Sequence, residues 1–162
     1  MQEKIRTKVL VLCTGNSCRS IMFESAINHH GDKFEAFSAG SFPAGYVHEV
    51  AIKTLQNHGI STEGLRSKSW DEFRDQAFDL VITVCDNAAN ESCPLFLGNF
   101  IKVHLGVEDP AKFVGSDEEI AAEFERVFLI IEKRIKALIA LDFEKLSKEN
   151  LVSELSKIAK LK

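Results

Sequence analysis

Two cysteines and an arginine lie close together near the start of the chain, in CTGNSCRS at residues 13–20. The stretch follows the aliphatic run VLVL and precedes a segment of helical pattern, which predicts a strand-to-helix turn. Gly15 and Asn16 tolerate left-handed backbone angles, so the amides of this turn can converge on one point. Arg19 adds a planar fork of donors that fits two oxygens of an anion. The pattern therefore predicts a cradle for a tetrahedral oxyanion with Cys13 as the nucleophile beneath it.

The predicted cradle extends from the nucleophile into the first helical turn, whose positive end points at the same spot. Its oxyanion-binding residues are Thr14, Gly15, Asn16, Ser17, Cys18, Arg19 and Ser20. Surrounding donors lower a thiol pKa, so we expect Cys13 to react as a thiolate. Cys18 falls in the first helical turn and is expected to point away from the cradle floor as a small core residue. The nucleotide-binding pattern G-x-x-x-x-G-K-[ST] is absent.

The elements that must position this turn follow an alternating order along the chain. Apolar runs of strand length lie at 8–12, 34–39, 78–84 and 99–104, and helical patterns at 20–30, 47–58, 117–141 and, more weakly, 70–76. This alternation predicts an α/β fold, a single three-layer domain with a central four-stranded parallel sheet flanked by helices. The domain is expected to span residues 1–141, followed by a C-terminal amphipathic helical extension over 142–162.

Composition narrows the classes of function. A chain of 162 residues with 45% hydrophobic residues supports one core, and a net charge of -4 disfavours nucleic acid and anionic membrane surfaces as partners. Neither a membrane span nor a signal-peptide pattern is found, so we expect a cytoplasmic protein. Cysteines in that compartment stay reduced, which makes thiol chemistry or metal binding the main alternatives to consider.

Chemically active residues also follow two other predicted strands. Cys85 ends the run at 78–84, and Asp109 lies in a short loop after the run at 99–104. The carboxyl ends of parallel strands share one edge of a sheet, so Cys13, Cys85 and Asp109 should face one crevice. A zinc site of Cys85, Cys93 and His104 is disfavoured because the cysteine spacing is wrong and a fourth ligand is not evident. We expect no metal and no cofactor.

Four motifs together resemble the arsenate reductases built on the low-molecular-weight protein tyrosine phosphatase fold. They are CTGNSCRS, FSAG at 37–40, VITVCDNAANESCP at 81–94 and HLGVEDPA at 104–111, and the resemblance covers about residues 7–141. It implies that Cys13 attacks the oxyanion, that Arg19 and the loop amides hold it, and that Asp109 protonates the leaving oxygen. It also implies that the Ser20 hydroxyl steadies the thiolate.

The cradle alone does not separate arsenate from phosphate, because the two anions have nearly the same shape. A phosphatase needs one thiolate and water, whereas reduction of arsenate to arsenite needs two electrons from thiols. Cys85 and Cys93 therefore favour an arsenate reductase with a Cys13–Cys85 and then a Cys85–Cys93 disulfide. Thioredoxin, or glutathione with glutaredoxin, would act as the reductant. A low-molecular-weight phosphatase that hydrolyses phosphate monoesters is the alternative.

Overall fold

A computed structural model of the chain describes residues 6–85, 96 and 98–162, and a four-stranded parallel sheet lies at its centre. The strands are β1 (Thr7–Cys13), β2 (Phe34–Gly40), β3 (Leu80–Thr83) and β4 (Ile101–His104). Their order in the sheet is β2-β1-β3-β4. The predicted α/β fold with a four-stranded parallel sheet is confirmed.

β1 lies inside the sheet, and this position explains its unbroken aliphatic sequence. Residues from Val9 to Leu12 are fully buried because both faces of the strand are covered. The chain passes from β1 to β2 on one side, while β3 and β4 lie on the other side. Such a change of direction opens a crevice at the carboxyl ends of the two central strands. Leu12 pairs with Thr83, so Cys13 and Cys85 follow at that same edge.

Four α-helices in the described part of the chain surround the sheet. They are α1 (Arg19–His30), α2 (Glu49–Asn57), α3 (Asp117–Ile139) and α4 (Lys148–Ile158). Two short 3-10 helices cover Trp70–Phe73 and Pro110–Lys112. The weak helical pattern at 70–76 therefore forms only a 3-10 turn, capped by the Ser69 side chain.

The two faces of the sheet have separate cores. Val9 and Val11 of β1 pack with α1, α3 and α4, whereas Leu10 and Leu12 pack with a phenylalanine-rich layer that includes Phe73 and Phe78. Successive side chains of a strand point to opposite faces, which divides β1 between the two cores.

The two C-terminal helices start at well-formed caps. The Ser116 side chain accepts a hydrogen bond from the Glu119 amide, and the Glu119 carboxylate accepts one from the Ser116 amide, which forms a capping box at the start of α3. At the start of α4 the Ser147 side chain accepts a hydrogen bond from the Asn150 amide. In the described residues, none of the helices is long and apolar enough to cross a membrane.

Candidate active site

The turn at residues 13–20 connects β1 to α1, and neighbouring backbone holds it in a curled shape. In a trans peptide the carbonyl and the next amide point in opposite directions. The carbonyls that precede Gly15, Asn16 and Cys18 point outward to hydrogen-bond donors of neighbouring segments, so the amides of these three residues point to the inside of the curl. Three backbone carbonyls of the turn accept hydrogen bonds from amides outside it. The Thr14 carbonyl accepts from the Phe42 amide at 3.0 Å, the Gly15 carbonyl from the Ala44 amide at 2.9 Å and the Ser17 carbonyl from the His48 amide at 2.8 Å.

Asn16 forms the centre of the curl. Of the two residues that tolerate left-handed angles, Asn16 adopts one, with a φ of 48°, whereas Gly15 does not have a positive φ. The buried side-chain amide donates to the Ser20 hydroxyl at 2.7 Å and the Ser38 hydroxyl at 2.9 Å, and its oxygen accepts from the Lys68 amide at 3.0 Å. These bonds connect the turn to α1, to β2 and to the segment before the first 3-10 helix.

A buried ion pair lies behind Asn16. The Ser38 hydroxyl donates to the Glu24 carboxylate, and the Lys68 ammonium lies 3.7 Å from the same carboxylate oxygen. The side chains of Lys68 and Glu24 are only 9% and 14% exposed. Burial raises the pKa of Glu24 and lowers the pKa of Lys68, and the attraction between the two charges opposes both shifts. The pair thus neutralises a buried carboxylate that supports the turn.

Gly40 allows β2 to approach the turn closely. A Cβ atom at this position would lie 2.4 Å from the Thr14 carbonyl oxygen and 2.9 Å from that of Cys13. Any other residue would push the turn away from the sheet.

Cys13 lies at the floor of the curl, and Cys85 lines the same cavity. The Thr14 hydroxyl lies 3.6 Å from the Cys85 sulfur, and both cysteines are 6% exposed. The expectation that the pKa of Cys13 is lowered is wrong for the structure without a bound anion. The hydrogen bond to Cys85 and burial raise the pKa of Cys13, and the opposing effect of the Arg19 guanidinium does not overcome them.

Arg19 and Asp109 form one wall of the site. The Arg19 Nη1 donates to the Val107 carbonyl at 3.1 Å, and Nη2 lies 3.5 Å from Asp109 Oδ2. The buried Nε of Arg19 has no hydrogen-bond partner among the described residues. A buried donor without a partner is costly, so this atom indicates where an anion would bind. Asp109 also caps the second 3-10 helix by accepting from the Ala111 amide at 3.0 Å.

Cys18 is a buried core residue as expected, but its thiol faces the site rather than pointing away from it. It is the residue just before α1 rather than part of its first turn, and its thiol lies 3.6 Å from Asp109 Oδ1 as a donor. Burial and the Asp109 carboxylate raise the pKa of Cys18 to about 12. Cys18 therefore contacts the predicted acid as a neutral thiol.

An open cavity of about 850 Å³ lies above these groups. Its lining residues are Cys13, Thr14, Gly15, Asn16, Ser17, Cys18, Arg19, Cys85, His104, Gly106, Val107, Glu108, Asp109, Lys112 and Ala159. The structure thus brings Cys13, Arg19, Cys85 and Asp109 to one cavity. Ser20 lies beneath it as the partner of Asn16. Cys93 lies outside the described residues.

Two functional candidates were missed from the sequence. Nothing in the local pattern singles out Lys68, because its partner Glu24 is distant in the chain. Arg134 did leave a signal, since it stands in register with Val127, Ile131 and Leu138 on the buried stripe of α3, where an apolar residue is expected.

Comparison with known proteins agrees with this geometry. Residues 8–152 match the family described as low molecular weight phosphotyrosine protein phosphatase. An arsenate reductase of Halalkalibacterium halodurans is 43% identical over 137 residues, which cover 84% of this chain and 95% of that protein.

Solved structures give the same result. The arsenate reductase of Archaeoglobus fulgidus is 31% identical, with a TM-score of 0.66 over 82% of this chain and 99% of that one. A thioredoxin-dependent arsenate reductase of Corynebacterium glutamicum is 27% identical, with a TM-score of 0.55 over 82% of this chain and 63% of that one. The resemblance predicted from the motifs is confirmed: the chain belongs to the low molecular weight phosphotyrosine protein phosphatase family and groups with its arsenate reductases.

Proposed function

We propose that this chain reduces arsenate to arsenite through a relay of thiols that begins at Cys13. The observation that carries the proposal is that the Cys85 thiol lines the same cavity as Cys13, 3.6 Å from the hydroxyl of the adjacent Thr14. Hydrolysis of a phosphate ester requires one sulfur nucleophile. A second thiol in the same cavity is what a two-electron reduction requires.

Binding is the first step of the proposed reaction. The inward amides of the turn and the buried Nε of Arg19 supply donors to the oxygens of arsenate. Bound arsenate replaces solvent above Cys13 and places its arsenic atom over the sulfur.

Formation of a covalent adduct follows. The Cys13 thiol gives its proton to an oxygen of the bound arsenate, its sulfur attacks arsenic, and the bond from arsenic to a hydroxyl group breaks. The departing oxygen leaves as water after it receives a proton from Asp109. Asp109 is suited to this transfer because its carboxyl group lines the cavity beside Arg19.

Electron transfer occurs in the next step. The Cys85 sulfur attacks the Cys13 sulfur and forms a disulfide, the sulfur–arsenic bond breaks, and its electron pair remains on arsenic. Arsenic is reduced from the +5 to the +3 state and leaves as arsenite, while two thiols are oxidised. Cys93 then attacks Cys85 and releases Cys13, and an external dithiol of the thioredoxin class reduces the Cys85–Cys93 disulfide. Glutathione with glutaredoxin is the alternative reductant.

A direct test compares two reductants and two substrates. Oxidation of NADPH is followed with arsenate through thioredoxin and thioredoxin reductase, and separately through glutathione and glutaredoxin, beside hydrolysis of an aryl phosphate. We expect arsenate turnover with at least one reductant. Lack of turnover with both reductants, together with efficient ester hydrolysis, would show that the chain is a phosphatase.

Cysteine variants test the relay itself. Cys85→Ser should abolish arsenate turnover and retain ester hydrolysis, because only the reduction uses the second thiol. Lys136→Met is the control, since it changes an exposed residue of α3 outside the cavity and should keep both activities within a few-fold. Cys93→Ser should stop after one turnover with a Cys13–Cys85 disulfide detectable by mass spectrometry. Parallel loss of both activities in Cys85→Ser would contradict the relay.

A further inference from the structure

Arg134 connects two segments that are far apart in the chain. It is 5% exposed although it carries a charge. Its Nη1 donates to the Gly106 carbonyl at 2.7 Å, its Nε to the Leu161 carbonyl at 2.9 Å and its Nη2 to the Ala159 carbonyl at 3.3 Å. Desolvation of a guanidinium is costly, and these three backbone acceptors offset that cost.

The first of these segments carries part of the active site. Gly106 is followed directly by Val107, whose carbonyl accepts a hydrogen bond from Arg19, and Asp109, whose carboxylate lies 3.5 Å from Arg19, comes two residues after Val107. Arg134 therefore binds the Gly106 carbonyl, and the next carbonyl along the chain, that of Val107, binds Arg19. We call residues 105–109 the acid loop.

The second segment is the end of α4. Leu151, Leu155 and Ile158 anchor this helix in the core that also contains Leu105, the first residue of the acid loop. Ala159 lines the active-site cavity. The match to the phosphatase family ends at residue 152, within α4, so the carbonyls of Ala159 and Leu161 lie beyond it.

We propose that Arg134 is a positioning residue, and that together with α4 it forms a strap that fixes the acid loop for oxyanion binding. The strap acts through Gly106 and Val107 on Arg19 and Asp109, without contact to the anion. The expected effects on phosphate binding and arsenate turnover rest on the proposed function. The structural readout, the motion of the acid loop, is independent of that function.

The strap should influence binding more than the chemical step. A preformed acid loop presents Arg19 and Asp109 in their binding positions before the anion arrives, so less ordering is left for the binding step. When the strap is released, the loop becomes ordered only as the anion binds. The KM for arsenate and the Kd for inorganic phosphate should then rise while kcat changes little.

The experiment uses the full-length protein and variants at both ends of the strap. Arg134→Met removes the three hydrogen bonds, Arg134→Lys retains a charge that reaches fewer carbonyls, and Leu155→Ala loosens α4 with Arg134 intact. Lys136→Met is the control because Lys136 lies on the exposed face of α3, where it pairs with Glu132. Hydrogen exchange of amides 105–109 and of α4 is measured for each variant, together with the Kd for phosphate and the kinetics with arsenate.

We expect faster exchange of the acid loop in Arg134→Met and Leu155→Ala, with a rise of about tenfold in the phosphate Kd and the arsenate KM. Arg134→Lys should lie between these variants and wild type. Lys136→Met should match wild type.

Two results would contradict the proposal that Arg134 and α4 fix the acid loop. One is faster exchange in α4 of Leu155→Ala with no change in the acid loop. The other is a folded Arg134→Lys or Arg134→Met protein with wild-type exchange at 105–109. If wild type neither binds phosphate nor turns over arsenate, the proposed function fails, and exchange of the acid loop still decides the strap.

Discussion

Arg19 and Asp109 stand together on one wall of the cavity, with Nη2 of the arginine 3.5 Å from Oδ2 of the aspartate. Nη1 of the same guanidinium is bound to the Val107 carbonyl, while the buried Nε has no partner among the described residues. The arginine is thus held on one side by the protein, and its buried Nε–H is available to a ligand. Binding of an oxyanion would satisfy this donor and keep the acid beside the leaving oxygen.

Replacement of Arg19 tests this division of roles. Arg19→Lys keeps the positive charge but loses the planar fork, so inorganic phosphate should bind about 100-fold more weakly. Isothermal titration calorimetry gives the affinity, and circular dichroism checks the fold. Unchanged affinity in a folded variant would remove Arg19 from the oxyanion site.

Removal of Cys85 should make Cys13 more acidic. The hydrogen bond to the Cys85 thiol is the largest cause of the raised pKa of Cys13, and the Arg19 guanidinium acts in the opposite direction. In Cys85→Ala the thiolate fraction of Cys13 at neutral pH should therefore increase, and its alkylation by iodoacetamide should become faster at lower pH. The measurement is the pH dependence of alkylation of the peptide that contains Cys13, by mass spectrometry. An equal or higher apparent pKa would contradict the assignment.

Lys68 should stabilise the protein in a pH-dependent way. Without its ammonium group, burial keeps the pKa of Glu24 above the value of an unfolded chain. The folded state then binds more protons than the unfolded state between these two pKa values, so the stability of Lys68→Met should fall as the pH rises through that window. Breaking this pair should cost about 3 kcal/mol at neutral pH.

Thermal denaturation at about pH 5 and about pH 8 measures this effect for Lys68→Met. The double variant Lys68→Met/Glu24→Gln should recover part of the loss, since it contains no buried carboxylate. An equal loss at both pH values would show that Lys68 acts through packing alone.

Gly40 should be required for steric reasons. A Cβ atom there would lie 2.4 Å from the Thr14 carbonyl oxygen, so Gly40→Ala should destabilise the protein by about 3 kcal/mol and weaken phosphate binding. Gly59→Ala is the matched control. Gly59 has a φ of +70° with open space around it, which predicts a loss of about 1 kcal/mol and normal binding. Equal effects of the two substitutions on phosphate binding would exclude the steric account.

Much of the fold and part of the site followed from local sequence patterns. Strands such as β1 are recognisable because burial on both faces demands a continuous aliphatic run. The turn at 13–20 is recognisable because its shape needs particular residues at neighbouring positions. The convergence of Cys13, Cys85 and Asp109 followed from the rule that parallel strands place their carboxyl ends at one edge. The role of Cys93 stays a prediction.

Contacts between distant segments were decided by the tertiary structure alone. The Cys18 thiol is oriented by its contact with Asp109, and the Lys68 ammonium is held by the Glu24 carboxylate. Arg134 can be buried because backbone carbonyls at the end of α4 accept its hydrogen bonds. The raised pKa of Cys13 likewise comes from Cys85, which no local pattern could place within hydrogen-bond distance. The sequence by itself therefore determined which groups could do chemistry and on which edge of the sheet they would lie. Only packing determined their partners and charge states, because burial and electrostatic interactions depend on neighbours in space rather than along the chain.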